Sequence, residues 1–186
     1  MNNKLKILAF TGSLRNQSYN KLLLKAASEL APESMEIEMF DLKDIPLYNS
    51  DVEAIEIPES VIKFKEKIKS ADGLLIGVQE YNYSISGVLK NAIDWASRPP
   101  MGSPLNQKPA TILGGSTGMS GTIRAQAHLR QVLAFSEIYD MKKPEVLVTK
   151  IQDKFDNNGN LIDEKLKEHL LKFLNSFEKW INIFKN

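Results

Sequence analysis

Apolar residues follow two rhythms along this chain. Short, mostly continuous apolar runs stand at Leu5–Phe10, Met35–Phe40, Gly73–Val78, Ala110–Gly115 and Glu145–Thr149. Runs of that length predict strands of a parallel sheet, buried on both faces. Between them, apolar positions recur every three or four residues. Asn20–Leu30 follows the first run, and Pro58–Ser70 carries Val61, Phe64 and Ile68 at helical spacing. Ser86–Ser97 sets Val88, Leu89, Ala92, Ile93 and Ala96 on one face, with Lys90, Asp94 and Ser97 opposite. Gly121–Phe135 is less regular, with apolar residues spread around it. Asp163–Phe184 has a stripe of Leu166, Leu170, Phe173, Leu174, Phe177, Ile181 and Phe184, and opens on acids that suit the positive end of a helix dipole. Leu42–Ile57 shows no period and is predicted as a long loop.

Strands alternating with helices predict an α/β fold with a doubly wound, five-stranded parallel sheet and helices on both faces. Right-handed crossovers restrict its topology. The expected order is 2-1-3-4-5, flavodoxin-like, as one domain over residues 1–186. Such sheets bind ligands beyond the carboxyl ends of their strands, near the point where the order reverses. The chemistry should therefore lie in the loops that follow strands.

The loop after the first run is Thr11-Gly12-Ser13-Leu14-Arg15-Asn16-Gln17-Ser18-Tyr19-Asn20. It matches neither the dinucleotide nor the nucleoside-triphosphate glycine pattern. Hydroxyls, a helix N-terminus and an arginine suit a single terminal phosphate. A polar turn with a serine or asparagine cap fits the same residues. The loop after the third run, Val78–Gly87, offers two tyrosines and an amide that suit a flat ring. A loop capped by Ser86, with tyrosines packed on its flank, is the plainer alternative. The loop after the fourth run, Gly114–Gly121, is built of small residues that allow backbone N–H groups to meet a ligand. It also matches G-x-S-x-G at Ser116, with Asp140 and His169 following in hydrolase order. Against an esterase, the predicted helix starts several residues after Ser116, and His169 falls mid-helix.

Composition narrows the chemistry. The 186 residues contain no cysteine, and the two histidines, His128 and His169, lie far apart. Disulfides, thiolate metal sites and cysteine nucleophiles are excluded, and no metal site is expected. The formal net charge of +1 argues against nucleic acid or an anionic membrane as partner. No apolar run approaches the ~20 residues of a membrane span. The N-terminus lacks a signal-peptide cleavage pattern, so a cytoplasmic protein is expected.

Taken together, the three loops resemble a known family. Gly12-Ser13-Leu14-Arg15-x-x-Ser18-x-Asn20-x-x-Leu23 resembles the phosphate loop of the NADPH-dependent FMN reductases, flavodoxin-like enzymes that include azo, quinone and chromate reductases. Glu80-Tyr81-Asn82 with Gly87-Val88-Leu89-Lys90-Asn91-Ala92-Ile93-Asp94-Trp95 is similar to their second signature. Gly118–Gly121, Arg124-Ala125 and Leu129-Arg130 are similar to the third. The likeness runs along nearly the whole chain, in order.

The resemblance implies an oxidoreductase that passes hydride from NADPH or NADH through FMN to a small acceptor: a quinone, azo compound, free flavin or metal oxyanion. It implies that Ser13, Arg15, Ser18 and Asn20 hold the phosphate, and that Tyr19 and Gln79 also bind the cofactor. Glu80, Tyr81 and Asn82 would lie along the isoalloxazine, and Ser116, Thr117, Gly118 and Met119 at its pyrimidine side. No acid–base residue of the protein is required. The family commonly has proline, glycine and proline where this chain has Gln79, Tyr83 and Ser86. Tyr83 is expected to narrow the substrate pocket. Tyr48, with Pro46 and Leu47, would cover a partner subunit's flavin site, unless Leu42–Ile57 is simply a solvated acidic loop.

The irregular helix Gly121–Phe135 has more apolar faces than a sheet can cover. A homodimer or homotetramer is expected, contacting through this helix and Ser86–Arg98, extended by Trp95 and Pro99-Pro100-Met101. Among rivals, an electron-carrier flavodoxin without NAD(P)H turnover is disfavoured by the near-neutral charge. A phosphoacceptor receiver domain is disfavoured because the first and third strands do not end in clustered acids.

Overall fold

A computed structural model describes residues 4–99 and 101–185. The strands are β1 (Leu5–Thr11), β2 (Met35–Asp41), β3 (Gly73–Gly77), β4 (Pro109–Gly115), β5 (Tyr139–Asp140) and β6 (Val146–Val148). The helices are α1 (Tyr19–Glu29), α2 (Ser50–Ile55), α3 (Glu59–Ser70), α4 (Gly87–Ser97), α5 (Ile123–Phe135) and α6 (Glu164–Ile183). The strands of the sheet pair in parallel, in the order β2-β1-β3-β4-β5. This is the flavodoxin-like order expected from the sequence.

Strand pleating sorts the core into two layers. Along β1, Leu5, Ile7 and Ala9 join the core under α1 and α6, while Leu8 and Phe10 join the core under α3, α4 and α5. The α6 stripe is buried from Leu166 to Ile181. Phe184, at its end, stacks on Tyr139 instead, with ring centroids 4.2 Å apart.

Three expectations are corrected. The fifth position of the sheet is shared by two short strands: β5 pairs with the start of β4, and β6 with its end. A two-residue strand has no period to detect. The supposed loop Leu42–Ile57 contains a 3-10 turn, Leu42–Asp44, and α2, capped by the Asn49 side chain accepting from Asp51 N–H. No residue of α2 is buried, so it carries no apolar stripe. Trp95 is only 1% exposed and extends no surface. Its Nε1 donates to Pro46 O at 2.8 Å, and the Tyr48 ring packs edge-on against it. The neighbouring Pro100 lies outside the described residues.

Candidate active site

A cleft opens beyond the carboxyl ends of β1, β3 and β4, and all three loops contribute to it. The first loop brings Ser13, Arg15, Ser18, Tyr19 and Asn20 to its wall. Gly12 is required where this loop crosses α4. A Cβ there would sit 2.2 Å from Ser86 Oγ and 2.7 Å from Leu89 Cβ. Ser86 Oγ donates to Gly12 O at 3.3 Å and accepts from Leu89 N–H, so one serine caps α4 and anchors the loop.

Ser18 caps α1 by accepting from Lys21 N–H at 3.3 Å, which leaves its own hydroxyl proton to donate. The chain has four arginines. Arg98, Arg124 and Arg130 pair with Glu53, Glu80 and Asp140. Among the described residues, only Arg15 has no carboxylate partner, and it borders the cleft. Asn20 reaches the cleft wall, but both its polar atoms are bound to the Gly115 backbone. The sequence places Asn20 among the phosphate ligands; the structure makes it a brace between loops.

The second loop contributes Gln79, Glu80 and Tyr81 to the cleft. The Glu80 carboxylate is drawn away from the opening onto the start of α5. Its Oε2 accepts from Arg124 N–H at 3.0 Å and Ala125 N–H at 3.1 Å, and Oε1 faces the Arg124 guanidinium. A carboxylate at a helix N-terminus meets both free N–H groups and the helix dipole. Glu80 lines the cleft while its carboxylate anchors the loop to α5.

Tyr81 to Ser84 form a tight hairpin, joined by reciprocal backbone bonds of 3.0 and 2.9 Å. Asn82 and Tyr83 take left-handed conformations, φ 49° and 65°. Positive φ at both central residues is the geometry of a type I′ turn. The Arg124 guanidinium lies 4.3 Å from the Tyr83 ring centroid, and His128 Nδ1 is 2.6 Å from Ser84 Oγ. Asn82 and Tyr83 therefore stand outside the cleft wall, with Tyr83 turned onto α5. Tyr48 is not brought to this cleft; its hydroxyl donates to Glu53, and Arg98 lies over its ring. The Tyr48 hydroxyl is shifted up, first by desolvation and then by Glu53.

The third loop places Ser116 and Thr117 on the wall, while Gly118 and the exposed Met119 project beyond it. Ser116 Oγ accepts from Gly121 N–H at 3.0 Å and donates to Gly118 O at 3.3 Å. No hydrolytic triad assembles. His169 Nε2 bonds Glu145 O, and the Asp140 carboxylate accepts from Arg130 and Lys142. The sequence reading missed the Arg124–His128 clamp. Its signal was the four-residue spacing that puts the two side chains on one helix face. Gly115, from the third loop, is also on the wall, and so is Ile151, which the sequence does not single out.

This donor set fits FMN. The unpaired guanidinium, two serines and the start of α1 suit a phosphate dianion. The half-exposed Tyr81 offers a flat apolar surface. The amide of Gln79, buried beside the cleft, keeps a nitrogen with no partner among the described residues. No group of three or more His, Asp or Glu side chains among the described residues could hold a metal ion. No helix among them is long and apolar enough to cross a membrane.

Comparison with known proteins agrees. Residues 5–153 match the family model of NADPH-dependent FMN reductases. An NAD(P)H-dependent FMN reductase of Pseudomonas aeruginosa is 49% identical over 181 residues, 97% of each chain. A 2-hydroxy-1,4-benzoquinone reductase of Burkholderia is 42% identical, covering 95% of this chain and 96% of that one. Among solved structures, a flavoenzyme NAD(P)H:(acceptor) oxidoreductase of Paracoccus denitrificans superposes with a TM-score of 0.89 at 35% identity, over 96% and 97% of the two chains.

Proposed function

The chain belongs to the NADPH-dependent FMN reductase family and is an FMN-dependent NAD(P)H oxidoreductase, and from that premise we propose that it reduces small quinones, with FMN held by its phosphate between Arg15, Ser13 and Ser18. The observation that carries this reading is Arg15, the one arginine without a carboxylate partner among the described residues, at the edge of a cleft lined by serines. Bound FMN supplies the redox chemistry, taking hydride from NAD(P)H and passing electrons to the acceptor.

The protein binds and orients. The start of α1 and the serine hydroxyls receive the phosphate, and the Tyr81 hairpin flanks the ring. The Ser116 N–H is held by Val148 O; backbone N–H groups of Thr117–Met119 would meet the pyrimidine edge and favour the more negative, reduced form. Tyr81 and Met119 are exposed beside the cleft and would give a flat acceptor an apolar rim. A quinone is favoured over the other acceptors by the similarity to the benzoquinone reductase.

The working unit is a homodimer, or a tetramer built from it. Ile123 is 51% and Phe135 88% exposed on α5, and Leu47 and Ile55 are exposed on the segment that covers Trp95. Apolar side chains of that size, left uncovered, favour association.

The test is spectroscopic. Protein loaded with FMN should bleach on anaerobic addition of NADPH and regain its colour with benzoquinone. Bleaching without steady-state turnover would favour an electron carrier. Failure to bind FMN would overturn the assignment of the cleft.

A further inference from the structure

Gln79 is 5% exposed. Its Oε1 accepts from Thr11 Oγ1 at 3.2 Å, while Nε2 is buried with no hydrogen-bond partner among the described residues. A buried N–H2 without an acceptor is unfavourable, and in a native protein it points to a missing partner. Gln79 borders the cleft, so the partner can be a ligand. With the amide oxygen toward Thr11, the nitrogen is left as a donor.

Position narrows the choice of acceptor. Thr11 ends β1, and the phosphate loop starts at the next residue. Gln79 follows β3, and the ring-flanking residues start at the next position. The Thr11–Gln79 bond therefore lies between the phosphate end and the ring end of the cleft. In FMN the ribityl chain joins those two ends, and its hydroxyl oxygens accept hydrogen bonds.

We propose that Gln79 recognises the ribityl chain, its Nε2 donating to a ribityl hydroxyl oxygen of the bound flavin. The proposal rests on the FMN reading above. It makes Gln79 a binding residue that selects ribityl-bearing flavins independently of their phosphate. The ring's electronic environment is left to the second and third loops.

The experiment measures binding of FMN, riboflavin and lumiflavin, which has the ring but no ribityl chain, by fluorescence titration and competition. Gln79→Leu keeps the bulk of the side chain and removes the donor. It should weaken FMN and riboflavin alike, by about tenfold, the order expected for one neutral hydrogen bond. Lumiflavin affinity and the midpoint potential of bound FMN should not move. Because Gln79→Leu strands the Thr11 hydroxyl, Thr11→Val/Gln79→Leu is measured alongside and should show the same selectivity. Unchanged FMN and riboflavin affinities in both variants overturn the proposal. So does an equal loss for lumiflavin, or a shifted potential, since either would put the contact on the ring. If the wild-type protein binds none of the three flavins, the FMN reading itself fails. If it binds FMN and Gln79→Leu binds equally well, only the ribityl contact fails.

Discussion

Asn20 grips the backbone of Gly115 at two points: Nδ2 donates to the carbonyl at 3.1 Å, and Oδ1 accepts from the amide at 2.9 Å. The pair is buried and joins residues 95 apart in sequence. It ties the first turn of α1 to the last residue of β4, and so the phosphate loop to the loop at Ser116. Asn20→Ala would leave both Gly115 groups buried and unpaired. A loss of roughly 1–3 kcal/mol is expected for such a change, together with weaker FMN binding. Asn20→Asp retains an acceptor but sets a carboxylate against the Gly115 carbonyl, and should destabilise as well. Denaturant midpoints with and without FMN check both variants.

Arg15 can place two parallel N–H groups on phosphate oxygens, which a lysine ammonium does not reproduce. Hydrogen bonds to a charged group contribute about 1.5–3 kcal/mol. Arg15→Ala should therefore weaken FMN about 10- to 100-fold and riboflavin hardly at all. Arg15→Lys should fall between. Equal loss for the two flavins would remove Arg15 from the phosphate site.

Glu80 anchors the Tyr81 hairpin to α5 through two backbone N–H groups. Glu80→Gln keeps one oxygen for those donors and loses the charge at the helix dipole. Glu80→Ala loses both. The alanine variant should cost about 1 kcal/mol, the usual effect of a lost helix cap, and glutamine less. If the hairpin shapes the acceptor site, KM for a quinone should rise more than kcat falls. A stability loss with an unchanged KM would limit Glu80 to a structural role.

Phe135 stands almost fully exposed at the end of α5, with Ile123 at its start. Ile123→Glu/Phe135→Glu should lower the sedimentation coefficient of the assembly without loss of helix signal. A wild-type protein that sediments as a monomer at all concentrations would reject the association.

Asp163 caps α6, accepting from Leu166 N–H at 2.8 Å and from Lys154 Nζ at 2.5 Å. The Lys154 hydrogen bond, then the Leu166 amide, lower its pKa below the ordinary carboxylate value. A depressed carboxylate stabilises the fold above its unfolded pKa of about 4. That contribution disappears as pH falls through the folded value. Asp163→Ala should cost about 0.5–2 kcal/mol near neutral pH, and less in acid. Asp163→Asn should keep much of the cap and lose the pH dependence. Thermal melts from pH 7 down to pH 3 separate the two.

The strand runs, the long helices and the three loops at strand ends were legible because burial imprints a local period on the chain. Val61, Phe64 and Ile68 announce α3, and the Leu166–Ile181 stripe announces α6, without reference to any distant residue. The residue types gathered at the strand ends, and the family they resemble, could likewise be read from order and spacing. Elements without an apolar period left no such mark: α2 buries nothing, and β5 is two residues long. Which polar atoms remain free for a ligand was decided by tertiary structure alone. Arg15 and Arg124 are equal as letters, yet Glu80 claims one and no carboxylate the other. Asn20 sits beside Ser18 in a loop of phosphate-ligand type, but Gly115 occupies both its polar atoms. Gln79 shares its amide oxygen with Thr11 and keeps its nitrogen. A hydrogen bond is satisfied by whichever partner the fold brings within about 3 Å, and for these side chains that partner is 44 to 95 residues away.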